Sequence, residues 1–272
     1  MASNRRVSLA ARLYALAGTT GILDSDLVYG AFVRAYFLYK RHVEDPFAAL
    51  AARYPSLFRN GHVLDIGANV GYTATVFHRV CSPSYSVFAF EPDERNARML
   101  RATIARYHAE GHIVPIEAAV GAADGSVDLW HNRAHGGDHR IVTPAFSSRI
   151  SDPEQIRRVR LVTIDRFLAE RGGPTPIAFI KIDVQGYELA VCQGMTDTLV
   201  RHPQAHVAIE YAPGSMERLG FDARQVEEFF LARDYTLSIL GGDGTLHPYD
   251  RHRIDMLGSD EYVDLLCSRQ PL

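Results

Sequence analysis

The chain is short of cysteine and lysine and has no long apolar run. Three cysteines, Cys81, Cys192 and Cys267, stand at no CxxC or CxxH spacing. An odd count without such spacing argues against a disulfide framework and against a zinc site, and a reducing, cytoplasmic setting is expected. Among 29 basic residues only Lys40 and Lys181 are lysines, and the formal net charge is −3. No basic footprint for nucleic acid exists at that charge. The most apolar early stretch, Leu27 to Tyr39, is interrupted by Arg34 and falls short of the ~20 residues a spanning helix needs, so no membrane partner is expected. Arg12 interrupts the only segment resembling a signal peptide. The arginine and alanine bias points to a high-GC bacterial source.

What remains is ordinary globular material, 47% hydrophobic and 22% charged over 272 residues. Residues 1–58 read as a helical extension. Leu9, Leu13, Leu16 and Ala17 share a face, Leu27 to His42 is a second helix, and Asp45-Pro46 offers a cap followed by proline in the first turn. The extension either covers the active site or forms a homodimer contact. From 59 to 272 short apolar runs alternate with helical periods, which predicts an α/β domain with a mostly parallel sheet. The runs are His62–Ile66, Ser86–Phe90, Ile113–Glu117, Ile177–Ile182, Ala205–Glu210, Tyr235–Leu240 and Tyr262–Cys267. Asp93 caps a helix that Gly111 stops, and Asp222 with Gln225 starts another. GGDG at 241–244 predicts a C-terminal antiparallel hairpin. The stretch 121–176 breaks the alternation: it reads as a long functional or mobile loop carrying strands Ser126–Trp130 and Arg160–Ile164.

VLDIGANVGYTA, residues 63–74, is the strongest motif. A strand ends in Asp65, and Gly67 and Gly71 open a tight turn into a helix. Glu91 ends the next strand, where an acid can accept both hydroxyls of a ribose. Dinucleotide binders carry GxGxxG and place a pyrophosphate at this turn. Here Asn69 stands in place of the second glycine, and Asp65 would repel a pyrophosphate. S-adenosylmethionine, with cationic amino and sulfonium groups and no phosphate, suits these acids better. An NAD(P)-dependent oxidoreductase is the competing class.

With these blocks, and with EAAVGAADGSVDLW, VTIDRFL and IAFIKIDVQGYELAVCQGM, the chain resembles the FkbM family of S-adenosylmethionine-dependent methyltransferases from about 61 to 212. The resemblance implies a Rossmann-like, seven-strand class I methyltransferase fold. It implies that Asp65, Gly67, Asn69 and Gly71 hold the methionine end of the cofactor and Glu91 its ribose, with Tyr72 and Pro92 beside them. Ala118 and Ala119 would lie by the adenine. Gln185 departs from the family's usual Glu, and GGDHRI departs from its small-residue pattern. Members methylate hydroxyls of antibiotics, lipids or polysaccharides. An O-methyltransferase acting on a polar, glycosylated natural product or saccharide is therefore expected, with a carboxylate or nitrogen acceptor as the alternative.

Removing the acceptor's proton as the new bond forms would assist transfer to an alcohol. Asp183, ending the strand IAFIKID, is the leading carboxylate, as base or as a group orienting acceptor and cofactor. Lys181, two positions back on the same face, either tunes its pKa or hydrogen-bonds the acceptor, or is tied up in a salt bridge to Asp183 or Glu188. Glu210 ends VAIEY and can face the acceptor, with Tyr211 lining the pocket. In HNRAHGGDHR, Asp138, His139 and Arg140 are candidates to bind the acceptor, and His139 can serve as base. His131, His135 and His139 would form a metal face on a helix, but Gly136-Gly137 makes a continuous helix unfavourable. Mg²⁺ held by Asp183, Glu210 and His139 is a minor alternative.

Overall fold

The computed structural model describes residues 30–31, 33–35, 37, 40, 45–132, 137–172 and 175–270. The Leu9 to Ala17 face and His135 lie outside them. The described residues between 30 and 40 are helical, as expected. Asp45 accepts the Ala48 N–H at 2.8 Å and caps α1 (Pro46–Arg53), with Pro46 in its first turn. Leu50 of α1, with Phe58 beyond it, is fully buried against Phe77 and Phe179.

The large sheet contains β1 (His62–Ile66), β2 (Val87–Phe90), β3 (Ile113–Ile116), β8 (Ile177–Ile182), β9 (His206–Tyr211), β10 (Thr236–Leu240), β11 (Leu246–Pro248) and β12 (Val263–Ser268). Its order is β11-β10-β12-β9-β8-β1-β2-β3. The run from β3 to β9 is parallel, and β12, β10 and β11 are antiparallel to their neighbours. The hairpin at GGDG is present. It adds β11 at the edge and makes eight strands where seven were expected. Strands β1, β2 and β8 carry apolar residues on both faces because helices cover both. The order reverses between β1 and β8, so the cleft at their carboxyl ends is the ligand position of an open α/β sheet.

Between them run α2 (Tyr72–His78), α3 (Glu94–Arg106), α5 (Ile164–Arg171), α6 (Glu188–Gln193) and α9 (Arg224–Leu231), with a short α4 (Pro144–Ser147) before α5. Asp93 caps α3 as read, but the helix ends at Arg106 and His108 takes the left-handed conformation, so Gly111 follows the stop rather than making it. Asp222 precedes the N-cap of α9, which is Ala223, and accepts the Arg224 N–H at 2.9 Å, two residues on, instead of making the expected capping box with Gln225.

The stretch 121–176 is not a long loop. With the two residues before it, it builds a second sheet from β4 (Ala119–Val120), β5 (Gly125–Trp130), β6 (Arg140–Ile141) and β7 (Ile156–Val162), in the order β4-β7-β5-β6. β7 starts earlier than expected, and Ile164 opens α5. Arg157, Arg158 and Arg160 are exposed on it. Arg158 and Arg160 on its open face disguised a strand whose Val159 and Leu161 pack inward. Among the described residues no helix is long and apolar enough to cross a membrane.

Candidate active site

Asp65 ends β1 with no exposed surface, and neither carboxylate oxygen has a hydrogen-bond partner among the described residues. Burial raises its pKa against the pull of the Lys181 ammonium, whose Nζ lies 3.6 Å from Oδ1. The chain then turns tightly. Gly67 has φ of 82°, and a Cβ there would fall 1.8 Å from the Asp183 carbonyl oxygen, so only glycine lets the two strand ends approach this closely. Gly67 and Ala68 N–H both donate to Phe90 O, which closes the turn onto β2. Asn69 takes a left-handed φ of 50°, and its N–H donates to Glu91 Oε2 at 2.9 Å. Asp93 N–H donates to Glu91 Oε1, also at 2.9 Å. Burial nevertheless pushes the Glu91 carboxyl up to about 8. Tyr72 O–H donates to Asp45, tying the start of α2 to the cap of α1. Pro92 is half-buried between Glu91 and Asp93, while Ala118 and Ala119 are buried in two separate apolar clusters.

Beside this turn opens a cleft of about 450 Å³, part of it solvent. Lys181, Asp183 and Glu210 from the sheet, Asp264 from β12, and Phe47 and Tyr72 from the first two helices are among its walls. Lys181 is the buried hub. Its Nζ is 3.1 Å from Asp183 Oδ2 as well as near Asp65. Burial disfavours the ammonium, but Asp183, Asp65 and Glu210 outweigh that and raise its pKa. Of the two readings of Lys181, the salt bridge to Asp183 is present. Gln185, at a left-handed φ of 57°, donates from Nε2 to Asp183 Oδ1 at 2.9 Å and to Glu210 Oε1 at 3.1 Å. Glu210 has its pKa raised well above normal by burial and by Asp183, Asp264 and Glu188. Glu188 holds the turn from behind, accepting Val184 and Gly186 N–H at 3.1 Å each.

The β5–β6 arm reaches the same region. Arg140 pairs with Asp138 at 2.6 Å, and its guanidinium lies 3.4 Å from the Gln185 carbonyl. His139 is not with Asp183 and Glu210. It stacks on His131, and both lie on Asp93. The Mg²⁺ set of Asp183, Glu210 and His139 is thus not assembled, and the Gln185 amide already bridges the two acids. Although burial alone would raise it, the Asp93 carboxyl is held down to about 2 by His131 and His139.

Residues 65–237 match the methyltransferase FkbM domain. The chain belongs to the FkbM methyltransferase family. A curated relative, the hexuronic acid methyltransferase AglP of Haloferax volcanii, is 28% identical over 136 residues, half of this chain and half of that protein. The solved FkbM methyltransferase of Methylobacillus flagellatus KT shares the fold at a TM-score of 0.50 and 17% identity, over 95% of this chain and 57% of that one. An O-methyltransferase of Bacillus cereus in complex with SAH aligns at a TM-score of 0.48 and 13% identity, over 96% of this chain and 90% of that one.

The cofactor of an FkbM methyltransferase is S-adenosylmethionine, and the residues present fit it. Asp65 is ion-paired with Lys181 at 3.6 Å but neither of its oxygens accepts a hydrogen bond among the described residues, so lone pairs remain for donors, and the group's ammonium is a donor that is also a cation. A phosphate placed against Asp65 would be repelled. Asp65 with the 67–71 turn would hold the methionine end, and Glu91 the ribose.

One expected pocket residue is misplaced. Tyr211 is buried on the opposite side of β9 from Glu210 and donates to Glu227, because neighbours in a strand face opposite ways. Sequence reasoning passed over two others. Gln185 was seen only as a departure from the family. Asp264 sits directly across from Glu210 in the β9–β12 register; its signal is a lone acid in the otherwise apolar run VDLLC.

Proposed function

We propose that the chain is an S-adenosylmethionine-dependent O-methyltransferase acting on a hydroxyl of a polar, glycosylated natural product or saccharide. The observation that carries this reading is the Lys181 ammonium shared by Asp65 and Asp183. It joins the carboxylate that faces the cofactor to one that opens, half-buried, into the cleft. S-adenosylmethionine, when bound, supplies a methyl group activated by a sulfonium. Asp183 takes the acceptor's proton. Lys181 pairs with one oxygen of Asp183 and Gln185 fixes the other, so the base is held in one orientation. Glu210, its pKa raised by burial and by its acidic neighbours, accepts from Gln185 and lines the cleft beside Asp183. Phe47 gives the sugar ring or aglycone an apolar wall, so α1 covers part of the site. Three buried thiols suit a reducing, cytoplasmic setting.

The wall charges favour a neutral acceptor. Asp45, Asp183 and Asp264 outnumber Lys40 and Lys181 among the cleft residues, which disfavours an anionic substrate. A second reading is kept by the relative's name, since a hexuronic acid offers a carboxylate as well as hydroxyls. The experiment is transfer of labelled methyl to a panel of neutral glycosides and uronic acids, followed by mild alkali. Label retained as an ether is the expected outcome. Release as methanol would mean ester formation and overturn the hydroxyl assignment.

A further inference from the structure

We propose that Asp93, His131 and His139 form a site for one late first-row divalent cation, of which Zn²⁺ fits best. It would clamp the β5–β6 arm to the turn that carries Glu91. The proposal does not depend on the methyl acceptor.

The hairpin builds the site. Trp130 pairs with Arg140 and Leu129 with Ile141, so the same antiparallel register brings His131 opposite His139 one step further out. Their rings stack at 4.4 Å between centroids and 21° between planes. Both lean on the carboxylate that caps α3. His131 Nδ1 is 2.8 Å from Asp93 Oδ2, His139 Nε2 is 3.8 Å from Oδ1, and one ligand atom from each residue lies within 4.8 Å of the others. A tetrahedral ion with bonds of about 2.0–2.2 Å spaces its ligand atoms by roughly 3.3 Å, which the first two separations bracket.

The donor set selects the metal. Two imidazoles and a carboxylate suit zinc and its neighbours, whereas Mg²⁺ and Ca²⁺ want oxygen. No cysteine is involved, which is why a cysteine count missed the site. The side chains of Asp93 and His139 are 8% and 6% exposed and that of His131 is 24% exposed. A fourth position on the His131 side is therefore left for water. Asp93 already accepts the Asn96 N–H at 3.0 Å, and its remaining lone pairs suffice for a metal.

Loading balances as follows. The proton between His131 Nδ1 and Asp93 Oδ2 leaves to solvent. His139 Nδ1 accepts the Asn132 N–H at 3.1 Å, so Nε2 carries the ring proton. To ligate through Nε2, the ring moves that proton to Nδ1 and gives up the Asn132 contact.

The test is Co²⁺ titration of the full chain after dialysis against chelator, followed by visible absorption. The expected result is one equivalent bound, with the strong d–d bands of low-coordinate Co²⁺, displaced by Zn²⁺. Affinity should fall at least about 100-fold in His131→Ala and in His139→Ala, at or beyond the upper range for loss of an outer partner, and be unchanged in His252→Ala. Zn²⁺ should raise the melting temperature of the parent chain and not that of His131→Ala. If buried His139→Ala fails to fold, the more exposed His131→Ala decides alone. Absence of saturable binding, or bands that survive His131→Ala, overturns the proposal.

Discussion

An Asp183→Asn chain is expected to bind S-adenosylmethionine within a few-fold of the parent and to turn over about 10²–10⁴ times more slowly, the range for loss of a general base. The amide keeps the shape and can still accept from Lys181 Nζ, which is 3.1 Å from Oδ2 in the parent. It cannot take up the acceptor's proton. Because Asp65, not Asp183, is the fully buried acid at the turn, cofactor affinity is largely spared while kcat falls. Steady-state kinetics with calorimetric cofactor binding separates the two effects. A kcat within a few-fold of the parent would remove Asp183 as base. Glu210→Gln is the companion variant: it keeps the side chain's size beside Gln185 and is expected to lower activity less than Asp183→Asn does.

Lys181→Met is expected to destabilise the cofactor-free chain by about 3–5 kcal/mol, the usual penalty for removing one partner of a buried ion pair. Methionine fills the volume of the stem, so the effect comes from charge. The ammonium is buried with Asp65 and Asp183 as partners, and its raised pKa means that the folded chain binds this proton more tightly than the unfolded chain does. Its stabilising contribution is therefore complete below the unfolded lysine value near 10.4 and is lost only as pH rises through the folded value. At neutral pH all of it is removed by the substitution. The deficit should narrow on acidification, as Asp65, whose pKa is raised by burial, takes up a proton. Adding Asp65→Asn should restore part of it. Urea unfolding of parent, single and double variants measures both statements, and a Lys181→Met midpoint equal to the parent's would contradict them.

Much of this site could be read before any fold was known. β1 and β8 match their expected bounds, since strands buried on both faces are apolar throughout and end at chemistry-bearing acids. The glycine turn was legible because a backbone passing 1.8 Å from where a Cβ would sit leaves no choice of residue. Pairings set by tertiary structure were not legible. Asp93 meets His131 across 38 positions of chain, and no local pattern announces that contact. Tyr211 was misplaced by treating neighbours in a strand as one surface. The second sheet was hidden by arginines on the open face of β7, where exposure to water imposes no apolar pattern. Gln185 carried a signal, its difference from the family, but the meaning came only with Asp183 and Glu210 on either side.

The account rests on a buried acid that faces a cation instead of a phosphate, and calorimetric titration of the parent and Asp65→Asn with S-adenosylmethionine and with NADH tests it most directly. S-adenosylmethionine should bind the parent and bind Asp65→Asn about 10–100-fold more weakly, as expected for a lost charge-assisted contact, and NADH should bind neither. Binding of NADH without S-adenosylmethionine, or equal affinity of the two chains for S-adenosylmethionine, would contradict it.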